Sequence, residues 1–197
     1  MNLLVDTVSQ PNGLGFIFTN GEVIEKSFDR RTESRLVLAS IAEVLKKKKL
    51  KTSEIQNLMV NVGPGSFTGI KIGLSIAQTF ALVHSTVCRA YTSFDVISHL
   101  AKSSDIPSDR ILIYAYQGEY FCGEWLNGVW NFSVRRKKEL DTDDWIYQGP
   151  EKFAESSWLR LPSESFINWT IFLDECQFNA NISPFYGKQS TAEMNLK

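Results

Sequence analysis

Gly63-Pro64-Gly65-Ser66-Phe67-Thr68-Gly69 sets three glycines and a proline between a β-branched run and a long helical pattern. No other segment restricts the fold as tightly. Leu58-Met59-Val60-Asn61-Val62 reads as a strand that stops at this loop, and helical spacing starts at Phe67 and runs to about Val83. A loop of this kind could offer backbone N–H groups to an anion at the helix N-terminus. It departs from the phosphate-loop pattern, because five residues separate Gly63 from Gly69 and Lys71 does not directly follow the last glycine. It departs equally from the nucleophile elbow, since Pro64 and Thr68 stand where glycines would flank Ser66. The alternative is structural: a tight turn in which Ser66 caps the helix and Gly69 lets it approach its neighbours closely.

Around this junction the order of elements is legible. Leu3-Leu4-Val5 ends in Asp6-Thr7 and a turn at Ser9 to Gly13; a second strand covers about Leu14 to Thr19, and Asn20-Gly21 turns it into a third, Glu22 to Phe28. Ser34 to Lys47 has neither Gly nor Pro and carries Leu36, Val37, Leu38, Ile41, Val44 and Leu45 at helical spacing. After the glycine loop and its helix come a strand at Val87 to Tyr91 and a helix at Ser93 to Lys102. Three antiparallel strands followed by crossovers suit one mixed sheet flanked by helices. The polar stretch Ser103 to Ser108 marks a lobe boundary, giving an expected division into 1-104 and 105-197. Beyond it, hairpin signals at Gln117-Gly118 and Asn127-Gly128 separate strands at Arg110 to Tyr116, Glu119 to Leu126 and Val129 to Arg135. Trp145-Ile146-Tyr147 reads as a further strand and Ser163 to Cys176 as a helix, and the tail from Pro184 to Lys197 could return to the first lobe.

Charge and residue chemistry narrow the function. With 21 Lys+Arg against 22 Asp+Glu, the net charge of −1 supplies no bulk field for a nucleic-acid backbone or an acidic membrane. Cys88, Cys122 and Cys176 are scattered and form no C-x-x-C, and His84 and His99 are too far apart to act as a helical metal-binding pair. No metal and no cofactor is expected. The amino terminus lacks a signal-type apolar run and no stretch reaches membrane-helix length, so a cytoplasmic protein that does not enter a membrane is expected. Lys46 to Lys49 and Arg135 to Lys138 could touch phosphates, although such runs are more often solvated helix or strand ends.

The helix after the loop has two apolar faces. Phe67, Ile70, Leu74, Ala77 and Ala81 form one, whereas Ile72, Ile76, Phe80 and Val83 form another roughly opposite, with Lys71, Ser75, Gln78 and Thr79 between them. A helix lying on a sheet needs one such face, so the second calls for another covering layer. The small residues of the first face suit a sheet. The larger second face, with Leu38, Ile41 and Leu45 of the preceding helix, is expected to meet a partner.

The segment Gly63 to Gly73 closely resembles the G-P-G-S-F-T-G-[LV]-R-I-G signature of the bacterial TsaB (YeaZ) proteins. Asp6-Thr7 resembles their opening, and Pro184-Phe185-Tyr186-Gly187-Lys188 with Ala192-Glu193 resembles motifs near their carboxyl end. The likeness extends over about the first hundred residues and then thins. It implies a two-lobed ASKHA (actin-like ATPase, ribonuclease H-like) α/β fold. It also implies a non-catalytic dimerisation subunit, without catalytic residues, in the complex that makes N6-threonylcarbamoyladenosine at position 37 of tRNA. The implied partner is a TsaD-like catalytic subunit, met through the first two helices. A TsaE-like ATPase and a second copy of the chain are further implied partners, with tRNA reached only through the complex. The chain departs from the family pattern at Thr32-Glu33-Ser34, at Leu38 and at Tyr114-Ala115-Tyr116. Two other classes compete with this reading: an active ASKHA phosphotransferase, in which Asp6 stands where a carboxylate would lie near metal-phosphate, or a glycoprotease-like peptidase, and a tRNA-binding module using Arg135 to Lys138.

Overall fold

Short apolar runs bounded by turn residues become strands throughout the computed structural model, which describes residues 1–9, 12–28, 34–106, 109–140 and 145–150, with Lys152, Ala154, 157–160, Phe172, Cys176 and 182–184. Two compact units result. The first contains Met1–Ser93 and the described Phe172, Cys176 and 182–184; the second begins at Phe94.

In the first unit, β1 (Asn2–Asp6), β2 (Asn12–Ile17), β3 (Val23–Phe28), β4 (Asn57–Asn61) and β5 (Val87–Tyr91) form one sheet in the order β3-β2-β1-β4-β5. β1 pairs antiparallel with β2 and parallel with β4, and β4 is parallel to β5. Leu3, Leu4 and Val5 are all fully buried, as a central strand covered on both faces requires. The hairpin between β2 and β3 closes where expected: Phe18 N–H donates to the Glu22 carbonyl at 2.9 Å, and Gly21 takes φ +83°.

α1 (Ser34–Lys48) and α2 (Phe67–His84) accompany this sheet. Val37, Ile41, Val44 and Leu45 of α1 are buried at the i, i+4, i+7, i+8 spacing of one helical stripe. Lys26 of β3 bonds Glu43 of α1 at 3.1 Å, and Lys48 pairs with Glu22, tying α1 to the β3 side of the sheet. α2 packs on β4, β5 and β1.

The second unit carries α3 (Ser93–Lys102, from its second residue), β6 (Arg110–Tyr116), β7 (Glu119–Leu126), β8 (Val129–Arg136) and β9 (Ile146–Gln148), with sheet order β8-β7-β6-β9. The division therefore falls before α3 and not after it at residue 104. The reason is packing: Phe94, Ile97 and Ala101 share a core with Ile111, Ile113, Phe121 and Ile146. Phe94 lies so close to β7 that a Cβ on Gly123 would come within 2.7 Å of its ring. Leu112, Tyr120, Cys122, Trp145, Tyr147 and Trp158 form a second core cluster of this unit. Both hairpin turns have positive φ at each central residue, +52° and +77° at Gln117-Gly118 and +53° and +81° at Asn127-Gly128, the type I′ geometry that joins twisted antiparallel strands. The expected helix from Ser163 to Cys176 and the tail beyond Pro184 lie almost entirely outside the described residues.

Candidate functional site

The glycine loop seats α2 against the end of β1. Ser66 caps the helix, its Oγ accepting from Gly69 N–H at 3.1 Å. Gly63 and Gly65 take φ +109° and +154°, where an L side chain is strained, and a Cβ on Gly65 would come within 2.6 Å of Val8 Cγ1. A Cβ on Gly69 would fall on the Thr7 carbonyl oxygen, and one on Gly73 would lie 2.9 Å from Val60 Cγ2. Thr7 Oγ1 closes the contact by donating to the Gly69 carbonyl at 2.7 Å. The motif Gly63, Pro64, Gly65, Ser66, Phe67, Thr68 and Gly69 thus brings two backbones together, with Ser66 as helix cap.

Asp6 sits beside this loop and is fully buried. Its Oδ1 accepts from Val8 N–H at 2.9 Å and Ser9 N–H at 2.8 Å, and its Oδ2 from Asn61 Nδ2 at 3.0 Å. Asn61 also donates to Ser9 Oγ at 2.9 Å, and its Oδ1 accepts from Gly63 N–H at 2.9 Å and from Ser93 Oγ at 3.3 Å. Burial pushes the Asp6 carboxyl above the usual carboxylate range, against the lowering effect of these hydrogen bonds. Both its oxygens are engaged by the chain itself, the arrangement of a turn-forming Asp.

The apolar face of α2 meets α1 along a groove. Leu38 of α1 and Thr68, Lys71, Ile72, Ser75, Ile76, Thr79 and Phe80 of α2 line a cavity of ≈ 360 Å³. Of the residues expected at a partner interface, Leu38 is 48% exposed and Val83 62% exposed, while Ile72 is half-buried. Ile76 and Phe80 line the groove yet are only 5% and 7% exposed, and Ile41 and Leu45 are buried within the unit. These four are therefore buried in the free chain and not on an open face. On the expected sheet-facing stripe, Ile70, Leu74 and Ala77 are buried, but Phe67 is 46% exposed with the Lys71 ammonium 4.1 Å from its ring centroid. Phe67 begins the helix beyond the edge of the close contact at Gly69, which leaves its ring at the surface. Leu82, at 86% exposure, extends the apolar surface past the groove.

The remaining polar candidates do not converge. His84 ends α2 with its ring edge-on to Phe80, whereas His99 is buried in α3 of the other unit. Among the described residues, no three His, Cys, Asp or Glu side chains come together as a metal site would require. Arg135 donates to Glu124 at 2.9 Å and Arg136 lies 3.9 Å from Glu119, so part of that basic run faces carboxylates of its own sheet. No helix among the described residues is long and apolar enough to cross a membrane.

Residues 29–108 match the family model described as TsaD, tRNA N6-adenosine threonylcarbamoyltransferase. The chain is 29% identical over 79 residues to the tRNA threonylcarbamoyladenosine biosynthesis protein TsaB of Haemophilus influenzae, covering 40% of this chain and 34% of that protein. Over 74 residues it is 36% identical to an uncharacterized protein, MG208, of Mycoplasma genitalium, covering 37% of each. The match thus spans about a third of the length of these curated relatives. Among solved structures, YeaZ from Pseudomonas aeruginosa aligns with a TM-score of 0.58 at 17% identity, over 74% of each chain. Another structure from that organism, of an uncharacterized protein with similarity to peptidase YEAZ, aligns with a TM-score of 0.59 at 17% identity over 75% of each. Over part of its length the chain is similar to TsaB (YeaZ) proteins. Its fold is the ASKHA-like one of the YeaZ structures: mixed α/β with two mixed sheets.

Within the first unit, the buried polar network that Ser9, Asn61 and Ser93 form with Asp6 was not legible from the sequence. The available signal was Asn61, a polar residue inside the apolar run that otherwise makes β4 a fully buried strand. The sequence marks Thr7 only through the Asp6-Thr7 pair; its clasp on Gly69 joins two segments 62 residues apart.

Proposed function

We propose that this chain is a non-catalytic subunit in the synthesis of N6-threonylcarbamoyladenosine in tRNA, which docks a TsaD-like catalytic subunit on the face formed by α1 and α2. The observation that carries this reading is the apolar groove between the two helices, bordered by exposed Leu38 and followed along α2 by exposed Leu82 and Val83. An apolar helical surface of this kind is what a helix-in-groove contact buries. The segment that matches the TsaD model and the TsaB relative supports the same assignment, since residues 29–108 include both helices. The engagement of both Asp6 oxygens by Val8, Ser9 and Asn61 supports a structural and not a phosphate-handling role for that carboxylate. In this reading the protein is cytoplasmic and meets tRNA through its partner.

Co-purification of the full chain with the TsaD-like protein of the same cell tests the proposal. A stable complex is expected for the wild type and its loss for Leu38→Glu, which sets a carboxylate against apolar partner surface at a cost of several kcal/mol. In the free chain the same charge faces water. A complex that survives Leu38→Glu, or ATP turnover by the isolated chain that Asp6→Ala abolishes, refutes the proposal.

A further inference from the structure

Exposed apolar side chains of the second unit gather on the hairpin of β7 and β8. Trp125, Leu126, Val129 and Phe132 are 38%, 54%, 57% and 55% exposed, and β8 lies at the edge of its sheet. Trp125 stands opposite Trp130 and Gly123 opposite Phe132, so strand alternation puts Trp125, Trp130 and Phe132 on one face of the hairpin, with Arg136 further along β8. The tryptophan rings are fixed by packing. Trp130 lies against Phe94 at a centroid distance of 5.5 Å, its Nε1 donates to Asp95 Oδ1 at 3.0 Å, and Trp125 meets it edge-on at 5.1 Å. Arg136, with 65% of its side chain exposed, lies 3.9 Å from Glu119, beyond hydrogen-bond distance, and Lys138 after it is exposed.

We propose that this face of the hairpin binds unpaired RNA, with bases stacked on Phe132 and Trp125 and the backbone reaching Arg136 and Lys138. Every base has a π-face that stacks on an aromatic ring whatever its sequence, and a ring already fixed by packing loses little freedom on doing so. At about 3.3 Å per strand residue, Arg136 stands roughly 13 Å beyond Phe132 along β8. Rings that give way to cations suit a chain in which flat apolar bases hang from a charged backbone, whereas an aliphatic partner would leave the cationic end unmatched. The chain's net charge of −1 makes this contact weak in the free protein, so the catalytic partner still brings the RNA and the hairpin adds to its hold. That this RNA is the tRNA of the modification reaction rests on the function proposed above; the stacking face itself does not.

Tryptophan fluorescence of the full chain, titrated at low salt with single-stranded oligoadenylate and with an adenylate–uridylate duplex, reads this face directly. The single strand is expected to quench it saturably and the duplex to leave it unchanged. Phe132→Ala is an exposed substitution whose thermal melt should match the wild type; it is expected to weaken single-strand binding roughly tenfold. Arg136→Gln, a second exposed change, should lower the salt slope by about one. In the complex with the TsaD-like protein, Phe132→Ala should weaken binding of the substrate tRNA roughly tenfold while the two proteins stay together. Equal quenching by single strand and duplex, quenching by neither, or single-strand binding that Phe132→Ala leaves unchanged overturns the proposal. So does sedimentation in which Phe132→Ala disperses a self-associated wild-type chain, since β8 would then be an edge for strand addition. Tight single-strand binding with an unaltered tRNA affinity of the Phe132→Ala complex overturns the identification of the RNA as that tRNA. A chain that binds no TsaD-like protein, yet binds single-stranded RNA through Phe132, overturns the docking reading and leaves the stacking face standing.

Discussion

Asn61→Ala removes the hub of the buried network beneath the glycine loop. The two hydrogens of its Nδ2 are shared among Asp6 Oδ2 at 3.0 Å, Ser9 Oγ at 2.9 Å and Ser93 Oγ at 3.1 Å, and its Oδ1 accepts from Gly63 N–H at 2.9 Å. A neutral hydrogen bond contributes about 1 kcal/mol net and one to a charged group about 2, with a further cost for groups left buried and unpaired, so the loss should reach about 3–5 kcal/mol. That is a large share of the roughly 5–15 kcal/mol by which a domain is stable. The sign of its pH dependence follows from Asp6. Burial raises the folded-state pKa of this acid above its unfolded value, so Asp6 favours folding most at low pH and that contribution is lost as pH rises through the folded pKa. Without Asn61 one of the bonds that lower the pKa is gone, and the window of loss extends to higher pH. Urea unfolding of both proteins at about pH 5 and about pH 8 is expected to show the larger difference at the higher pH. A difference below about 1 kcal/mol, or one identical at both pH values, would falsify the assignment of Asn61 as the support of an ionisable buried carboxyl.

Gly69→Ala drives a methyl into the Thr7 carbonyl and disturbs the Thr7 Oγ1 bond, so a loss of about 2–4 kcal/mol in urea is expected, against about 1–2 kcal/mol for Gly21→Ala, whose Cβ meets open space and which bears only the strain of its φ of +83°; equal losses would show that the close approach is not what the motif glycine supplies. Ile76→Glu places a carboxylate on the buried floor of the groove and should unfold the chain or leave it insoluble, in contrast to Leu38→Glu at the exposed rim; a well-folded Ile76→Glu protein with a native thermal melt would contradict this burial. Cys122, buried in β7 with its thiol pushed up to about 11, should resist alkylation by iodoacetamide at pH 8 until urea unfolds the chain; labelling at the rate of a free thiol would mean that this strand opens in the native state.

Leu3-Leu4-Val5, Leu58 to Val60 and the type I′ dipeptides Gln117-Gly118 and Asn127-Gly128 carried their structure in local chemistry. A continuous apolar run must be covered on both faces, and two consecutive residues that tolerate positive φ close a hairpin. The order of strands and helices in the first hundred residues, the cap at Ser66 and the closeness of Gly69 to its neighbours were legible for the same reason. The apolar stripes of α2 were legible as stripes. Their destinations were not: Ile76 and Phe80 share a face with Val83, yet the first two are buried and the third is exposed, because helix periodicity gives an angle around the axis and not what covers each turn. The placement of α3 in the second unit was likewise invisible in the polar stretch Ser103 to Ser108; it follows from Phe94, Ile97 and Ala101 matching the surface of β6 and β7. The sequence by itself determined which segments become strands, turns and helices and that α2 has two apolar faces, since these depend on neighbours a few residues apart. Only the tertiary structure decided that Asp6 is engaged by Asn61 from 55 residues away, that Gly69 meets Thr7 from 62, and that Leu38 stays exposed while Ile41 and Leu45 are buried. Those outcomes depend on how separately coded elements pack, and local periodicity carries no information about that distance.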